Sequence, residues 1–426
     1  MTNVPSIFRR VFCGTLVALL AALLLFPWIQ HAAHWPADKK LSGIRTRTDE
    51  FPALTVQTWL DGSFAQTADL WTSEHVGVRG WLVNLNRQVR YSLFGQVESA
   101  PRRKRALVLG RPPVLFENLL LADALRPPQI SPEKMDAFAA NLRRTQELLR
   151  AQGMAFLVIL APNKALLYPE TLPAWARARV PKTNTDYRAF VAALQRHDVP
   201  VLDTMTLFRE LQPEFPDLVP PQGIHWSHQG TWLAWQRAIP LVNQQGLLPP
   251  LPVPESDGVV MSRPSSMNRE LNSQLNLFRS PYDAEVPCAY PIAKPPPPGA
   301  ATNLDVLVVG DSFGFTFVDA LARSGLCRLV HFWFYMQTGK EAFPATFDSR
   351  AERLYSHLAG IGAMRPNDEN GRRMLKDKKL VVFVVTTFNI DKFAWGFDRL
   401  VARLYGGAAD VIPEVDETEP EVNLAD

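Results

Sequence analysis

Two short segments hold the residue types that together carry out acyl transfer. In Leu307-Val308-Val309-Gly310-Asp311-Ser312-Phe313-Gly314, an apolar strand runs into a Gly-Asp-Ser turn, and Phe313 to Leu321 reads as a helix. A turn of this kind exposes the serine hydroxyl at the carboxyl edge of a sheet. Backbone N–H groups at the start of the following helix, that of Gly314 among them, then face a developing oxyanion. A serine needs a base within hydrogen-bond reach, and histidine is the usual one. Gly223-Ile224-His225-Trp226-Ser227-His228-Gln229-Gly230 supplies His225 in a loop just before a helix with Trp232, Trp235 and Ile239 on its apolar side. Ser312 is therefore the expected nucleophile and His225 the expected base. His228 is a substitute base by type, but its place in the first turn of the helix predicts exposure.

Other residues qualify by position. Asp311 precedes the nucleophile and is expected to shape the turn more than to carry protons. Asn163 and Lys164 follow the apolar run MAFLVIL, so at a strand's carboxyl edge they offer an amide donor and a cation to an acyl oxyanion; the plainer alternative is a turn residue and a solvated lysine. In HFWFYMQTGKEAF, Tyr335 and Gln337 are candidate donors to an acyl carbonyl or a sugar, and Trp226 is a candidate aromatic wall of the same cleft. There is no HExxH, paired CxxC, Walker loop or GxGxxG after a strand, so neither a metal nor a nucleotide cofactor is expected.

The elements that must hold these residues read as alternating strands and helices. Ser131-Pro132-Glu133 opens a helix with a capping hydroxyl, a first-turn proline and an acid near the positive helix end, and Gly153 closes it. Strands follow at Met154–Leu160, Val199–Leu202, Val306–Val309 and Leu380–Val385, with a helix at about 185–196. Continuous apolar strands alternating with helices predict an α/β fold with a mainly parallel sheet. Pro-rich stretches at Leu248–Glu255 and Lys294–Gly299 bracket an insertion with little periodicity, expected to be an extended surface excursion.

At the N-terminus, Arg9 and Arg10 precede an uncharged stretch from Val11 to Ile29. At about 1.5 Å per residue it nearly matches a hydrocarbon core of about 30 Å, which predicts a signal-anchor with the remaining chain outside the cytoplasm. Cleavage as a signal peptide is the competing reading, against which His31-Ala32-Ala33-His34 is a poor cleavage site. Domain boundaries are accordingly expected at 1–34 for the cytoplasmic stub and anchor, 35–406 for the body, with its insertion at about 248–300, and 407–426 for an acidic disordered tail. The last 13 residues, EVDETEPEVNLAD, carry six acids and no base, so the rest of the chain has a formal charge of +9 against +3 for the whole. A basic body suits an anionic glycan or a membrane surface, and Arg102-Arg103-Lys104-Arg105 adds a local basic run, yet the balance is too even for a dedicated nucleic-acid binder. Of three cysteines, Cys13 lies in the apolar stretch, leaving Cys288 and Cys327 as a disulfide candidate or as two buried thiols.

His-Trp before a helix, the later GDSF turn and the segment FLVILAPNKALLYPETLP together resemble the alginate O-acetyltransferase family, AlgJ/AlgX-like, a circularly rearranged branch of the SGNH hydrolase-like fold. SEHVGVRGWLVNLNRQVRYSLFG is similar to an early helix of that family, and the resemblance runs from about Trp59 to Leu400. It implies an extracytoplasmic enzyme that moves acetyl groups onto polysaccharide hydroxyls through an acetyl-serine, with a membrane-bound O-acyltransferase as acetyl donor. It also implies an aspartate two residues before the histidine, where this chain has Gly223. Three readings stay open: His225 oriented by a backbone carbonyl, by Asp217 or Asp203, or an inactive site. An inactive site would make the chain a polysaccharide-binding or scaffold subunit of an export complex. An acetylesterase would use the same residues with water as acceptor. Restoring the acid by Gly223→Asp is expected to raise the activity of a weakened enzyme.

Overall fold

The computed structural model describes residues 6–35, 37–42, 50–97, 107–180, 185–300, 303–342 and 358–406. The basic run Arg102-Arg103-Lys104-Arg105 and the acidic tail lie outside the described residues. Two compact units are present: one of residues 1–103 with 273–280, the other of residues 104–272 with 281–426.

The strands, in chain order, are β1 (Leu107–Leu109), β2 (Leu115–Glu117), β3 (Ala155–Ala161), β4 (Val201–Asp203), β5 (Ser256–Ser262), β6 (Cys288–Ala293), β7 (Leu304–Gly310), β8 (Cys327–Phe334), β9 (Thr338–Ala342), β10 (Leu358–Ala363) and β11 (Leu380–Thr386). The second unit is built on a seven-stranded sheet of order β10-β9-β8-β7-β11-β3-β4. Its five strands from β8 to β4 are parallel, and β9 and β10 extend it antiparallel. Every residue of β3, β7 and β11 is buried, which is why their sequences, Asp305 in β7 and the terminal Thr386 of β11 apart, are apolar on both faces instead of alternating. Helices Pro132–Ala151, Asp186–Arg196 and Phe397–Tyr405 pack together against the sheet, as do His228–Asn243 and Gly314–Arg323. This is the expected SGNH-like arrangement. Parallel order places the carboxyl ends of β7, β11 and β3 side by side, and the turns leaving them form one edge.

The insertion carries secondary structure of its own. β5 and β6 pair as an antiparallel ribbon, and the chain between them returns through the short helix Glu270–Leu275. Tyr290 in β6 anchors that return: its hydroxyl accepts from Ser265 N–H at 3.2 Å and from Asn268 Nδ2 at 3.2 Å.

In the first unit, the helix Ser6–Ala33 contains the segment Arg10–Ala33, which is long and apolar enough to cross a membrane. Cys288 and Cys327 are not joined; both are free and buried. Cys288 belongs to the small cluster around Tyr290, whereas Cys327 sits in the core of the main sheet, so each thiol has its own apolar surroundings. Burial pushes both thiols up to about 12. Intact protein should therefore leave both unreacted with Ellman's reagent, and unfolding without reductant should release both; a denatured chain that titrates neither would mean that a disulfide links them.

Candidate active site

Ser312 follows β7 at a turn closed by hydrogen bonds to Asp311. The Asp311 carboxylate accepts from Phe313 N–H at 3.0 Å, Thr386 N–H at 2.8 Å, Thr386 Oγ1 at 2.6 Å and Asn389 Nδ2 at 2.9 Å. It ties the turn to the end of β11, the shaping role expected of it. Glycine is required on both sides of the turn. A Cβ at Gly310 would lie 2.4 Å from Val384 O, and one at Gly314 would lie 2.5 Å from the Phe332 ring. The Gly314 N–H donates to Asp311 O at 3.0 Å, so it is not the open oxyanion donor that the sequence suggested. Of the amides from 311 to 315, that of Ser312 alone has no acceptor among the described residues.

His225 is buried, with Nε2 2.8 Å from Ser312 Oγ and Nδ1 2.8 Å from Glu270 Oε1. Glu270 Oε1 also accepts from Ile224 N–H at 2.7 Å, which fixes the carboxylate against the loop that carries the histidine. The three side chains make a hydrogen-bonded Ser–His–Glu relay, in which the acid orients the ring. This corrects the sequence reading of the acid. Asp217 instead accepts from Ala289 N–H at 2.9 Å, and Asp203 caps the helix Thr204–Leu211 through Thr206 N–H at 3.0 Å. The family position itself is closed: a Cβ at Gly223 would lie 2.9 Å from Met267 O and 3.2 Å from the Asn268 backbone. The returning segment that fills this space is the one that delivers Glu270. Leu271 N–H donates to Gln222 O at 3.0 Å, and Gln222 Nε2 donates to Ala284 O at 2.7 Å, holding loop and return together.

Around the relay, several expected roles change. Lys164 is neither solvated nor aimed at an acyl group. It is buried, and Nζ donates to the carbonyls of Pro220 (3.3 Å), Pro221 (3.1 Å) and Gly223 (2.5 Å), gripping the loop just before His225. Burial pulls its pKa down to about 7, with Glu270 and Glu117 opposing that shift. Asn163 is a turn residue: Oδ1 caps Ala165 N–H at 2.9 Å, and Nδ2 donates to Leu120 O at 2.9 Å and Asp123 Oδ2 at 3.0 Å. Trp226 is fully buried, and its Nε1 donates to Phe313 O at 2.9 Å, so it links the histidine loop to the serine turn and forms no wall for a sugar. His228 is buried, not exposed, with Nδ1 3.0 Å from Asp319 Oδ2. Tyr335 N–H donates to Gly310 O at 2.9 Å, which keeps this residue beside the serine turn. Gln337 is exposed in the turn between β8 and β9.

A mostly parallel sheet flanked by helices, with a serine turn and a histidine loop at its carboxyl edge, is an SGNH-like α/β fold. More particularly, residues 108–289 match the family model described as SGNH hydrolase-like domain, acetyltransferase AlgX. The resemblance to the alginate O-acetyltransferase family therefore holds over somewhat less than half of the chain, a stretch with His225 and Glu270 inside it and Ser312 beyond it. No curated protein matches the sequence. Among solved structures, the O-acetyltransferase domain of Pseudomonas putida AlgJ is similar at 18% identity and a TM-score of 0.41, covering 67% of this chain and 92% of that one. Pseudomonas aeruginosa AlgX is similar at 11% identity and 0.41, covering 73% of each chain. Bacillus cereus PatB1 with a sulfonyl adduct is similar at 12% and 0.42, covering 68% of this chain and 99% of that one. Likenesses at this level define neither a substrate nor an activity.

Two outcomes test the site. Gly223→Asp should lower acetyl-ester turnover, since the new side chain meets the Met267–Asn268 backbone; a gain would contradict the assignment of Glu270. Because the lysine pKa is lowered on folding, the unfolded chain binds more protons between about pH 7 and the ordinary lysine range, so stability should rise with pH there. The gain in Tm from pH 7 to about pH 8.5 should shrink in Lys164→Met, and equal gains in the two proteins would contradict the buried lysine clamp.

Proposed function

We propose that this chain is an extracytoplasmic polysaccharide O-acetyltransferase that passes an acetyl group through an acetyl-serine at Ser312. The observation that carries the reading is the continuous relay, 2.8 Å from Ser312 Oγ to His225 Nε2 and 2.8 Å from His225 Nδ1 to Glu270. As Ser312 Oγ attacks the acetyl carbonyl, its proton passes to His225 Nε2, and Glu270 stabilises the resulting imidazolium. The carbonyl oxygen becomes an oxyanion within reach of the Ser312 N–H, and His225 returns the proton to the departing donor oxygen. A sugar hydroxyl then loses its proton to the same nitrogen as it attacks the acetyl-serine. The tetrahedral intermediate collapses, the acetyl ester leaves on the sugar, and the Ser312 hydroxyl is regenerated.

The family resemblance supports a membrane-bound O-acyltransferase as donor and a polysaccharide as acceptor. The basic charge of the chain outside its tail favours an anionic polymer. The helix Arg10–Ala33 fits a single-pass anchor in the inner membrane with the catalytic unit in the periplasm. A non-catalytic polysaccharide-binding or scaffold subunit drew its support from the missing acid at position 223, and Glu270 supplies that acid from elsewhere. An acetylesterase uses the same three residues and differs only in admitting water to the acetyl-serine.

With p-nitrophenyl acetate, Ser312→Ala should fall to the uncatalysed background, and Glu270→Gln should lose up to about 10⁴-fold in kcat. Equal rates for wild type and Ser312→Ala would remove the nucleophile. Adding an anionic or a neutral oligosaccharide should divert acetyl from acetate to the sugar. If acetate remains the sole product with every acceptor tried, the esterase reading replaces the transferase one.

A further inference from the structure

The helix Arg79–Phe94 of the first unit is inside out. Its buried side chains include Asn84 and Arg87, whereas Trp81, Leu82, Leu85, Val89 and Leu93 are 45–69% exposed. At about 100° per residue these five apolar side chains share an arc of about 120°, the width of a core-facing stripe. A helix bordering water presents the opposite pattern. The orientation is fixed by specific bonds on the polar side: Arg87 Nη1 donates to Gln274 O at 2.9 Å and Leu275 O at 3.2 Å, and Gln88 Oε1 accepts from Phe278 and Arg279 N–H at 3.0 Å.

What covers the stripe follows from where the helix begins. Val78 N–H donates to Gln30 Oε1 at 3.0 Å, and a Cβ at Gly77 would lie 2.0 Å from Pro27 O. The helix therefore starts against the last two turns of Arg10–Ala33, at the level where a membrane span leaves the hydrocarbon. It contains Arg79, Arg87 and Arg90 and no acid, and Arg102-Arg103-Lys104-Arg105 follows it in sequence. Arg79 and Arg90 border the apolar arc on one side. An apolar stripe edged by arginine, on a helix without acids, suits lipid with anionic headgroups.

We propose that Arg79–Phe94 lies in the membrane interface, with Trp81, Leu82, Leu85, Val89 and Leu93 among the acyl chains and Arg79 and Arg90 at the level of the phosphates. The first unit thereby has a second contact with the bilayer. The proposal rests on the reading of Arg10–Ala33 as a membrane anchor, and the test separates the two.

The full chain is reconstituted in vesicles of phosphatidylethanolamine and phosphatidylglycerol with one nitroxide label per protein. The label sits on native Cys13, which is exposed on the span, or on Leu85→Cys, Val89→Cys or Glu210→Cys in a Cys13→Ala background; Cys288 and Cys327 are buried. Retained p-nitrophenyl acetate hydrolysis marks each variant as folded. Positions 13, 85 and 89 should be accessible to oxygen and shielded from a water-soluble nickel chelate, with the reverse at exposed position 210. Nickel access at 85 and 89 equal to that at 210, with 13 still in lipid, overturns the proposal and leaves the anchor intact. Shielding of 85 and 89 from both reagents marks a protein contact and overturns it too. Nickel access at 13 removes the anchor, and the proposal with it.

Discussion

The relay depends on an imidazole that must be held by both nitrogens. Nε2 serves Ser312 only while Nδ1 is fixed, and the ring is fixed only while its loop is. Glu270 fixes the ring, and Lys164 fixes the loop by gripping three of its carbonyls. Trp226 then joins that loop to the serine turn through Phe313 O. Lys164 and Trp226 are buried, and a polar group of this kind left unpaired costs about 1–3 kcal/mol, so the loop has few other arrangements that satisfy them both. The sheet supplies the remaining constraint. β7 and β11, in parallel register, set the Asp311 turn and the Thr386–Asn389 segment at one height, where a single carboxylate can bind both.

The acid in this relay comes from a different place in the chain from where the family resemblance puts it. With an aspartate two residues before the histidine, acid and base share one loop. Here the glycine at that position gives up its side-chain volume to the Met267–Asn268 backbone, and the acid arrives on the segment that fills the gap. The exchange makes the segment between β5 and β6 part of the candidate site. Tyr290, Asn268 and Gln222 hold the return in place, and the carboxylate of Glu270 offsets part of the cost of burying the Lys164 ammonium nearby.

Much of this architecture was legible in the sequence. Buried parallel strands announce themselves as unbroken apolar runs, so β3, β7 and β11 could be placed within a residue or two, and the serine turn and histidine loop with them. The acid was not legible. Glu270 lies 45 positions from His225 in a stretch without periodicity, and the tie between them is a backbone path folded over a glycine, which no local pattern encodes. The one available hint was Leu271 and Leu275, spaced as on a helix directly after Glu270, within a segment otherwise read as surface. Lys164 and Trp226 were misjudged for a related reason. Residue type suggests a cation or an aromatic wall for substrate, whereas burial turns the same groups into fasteners, and burial of a loop is decided by tertiary packing.

In the proposed reaction, Ser312 becomes acetylated because His225 removes its proton. The most direct measurement is to quench the reaction with p-nitrophenyl acetate early and locate the acetyl group by peptide mass spectrometry. Acetyl is expected on Ser312 in the wild-type protein and none there in His225→Ala. Acetyl found only on lysines, or equal labelling of Ser312 in both proteins, would contradict it.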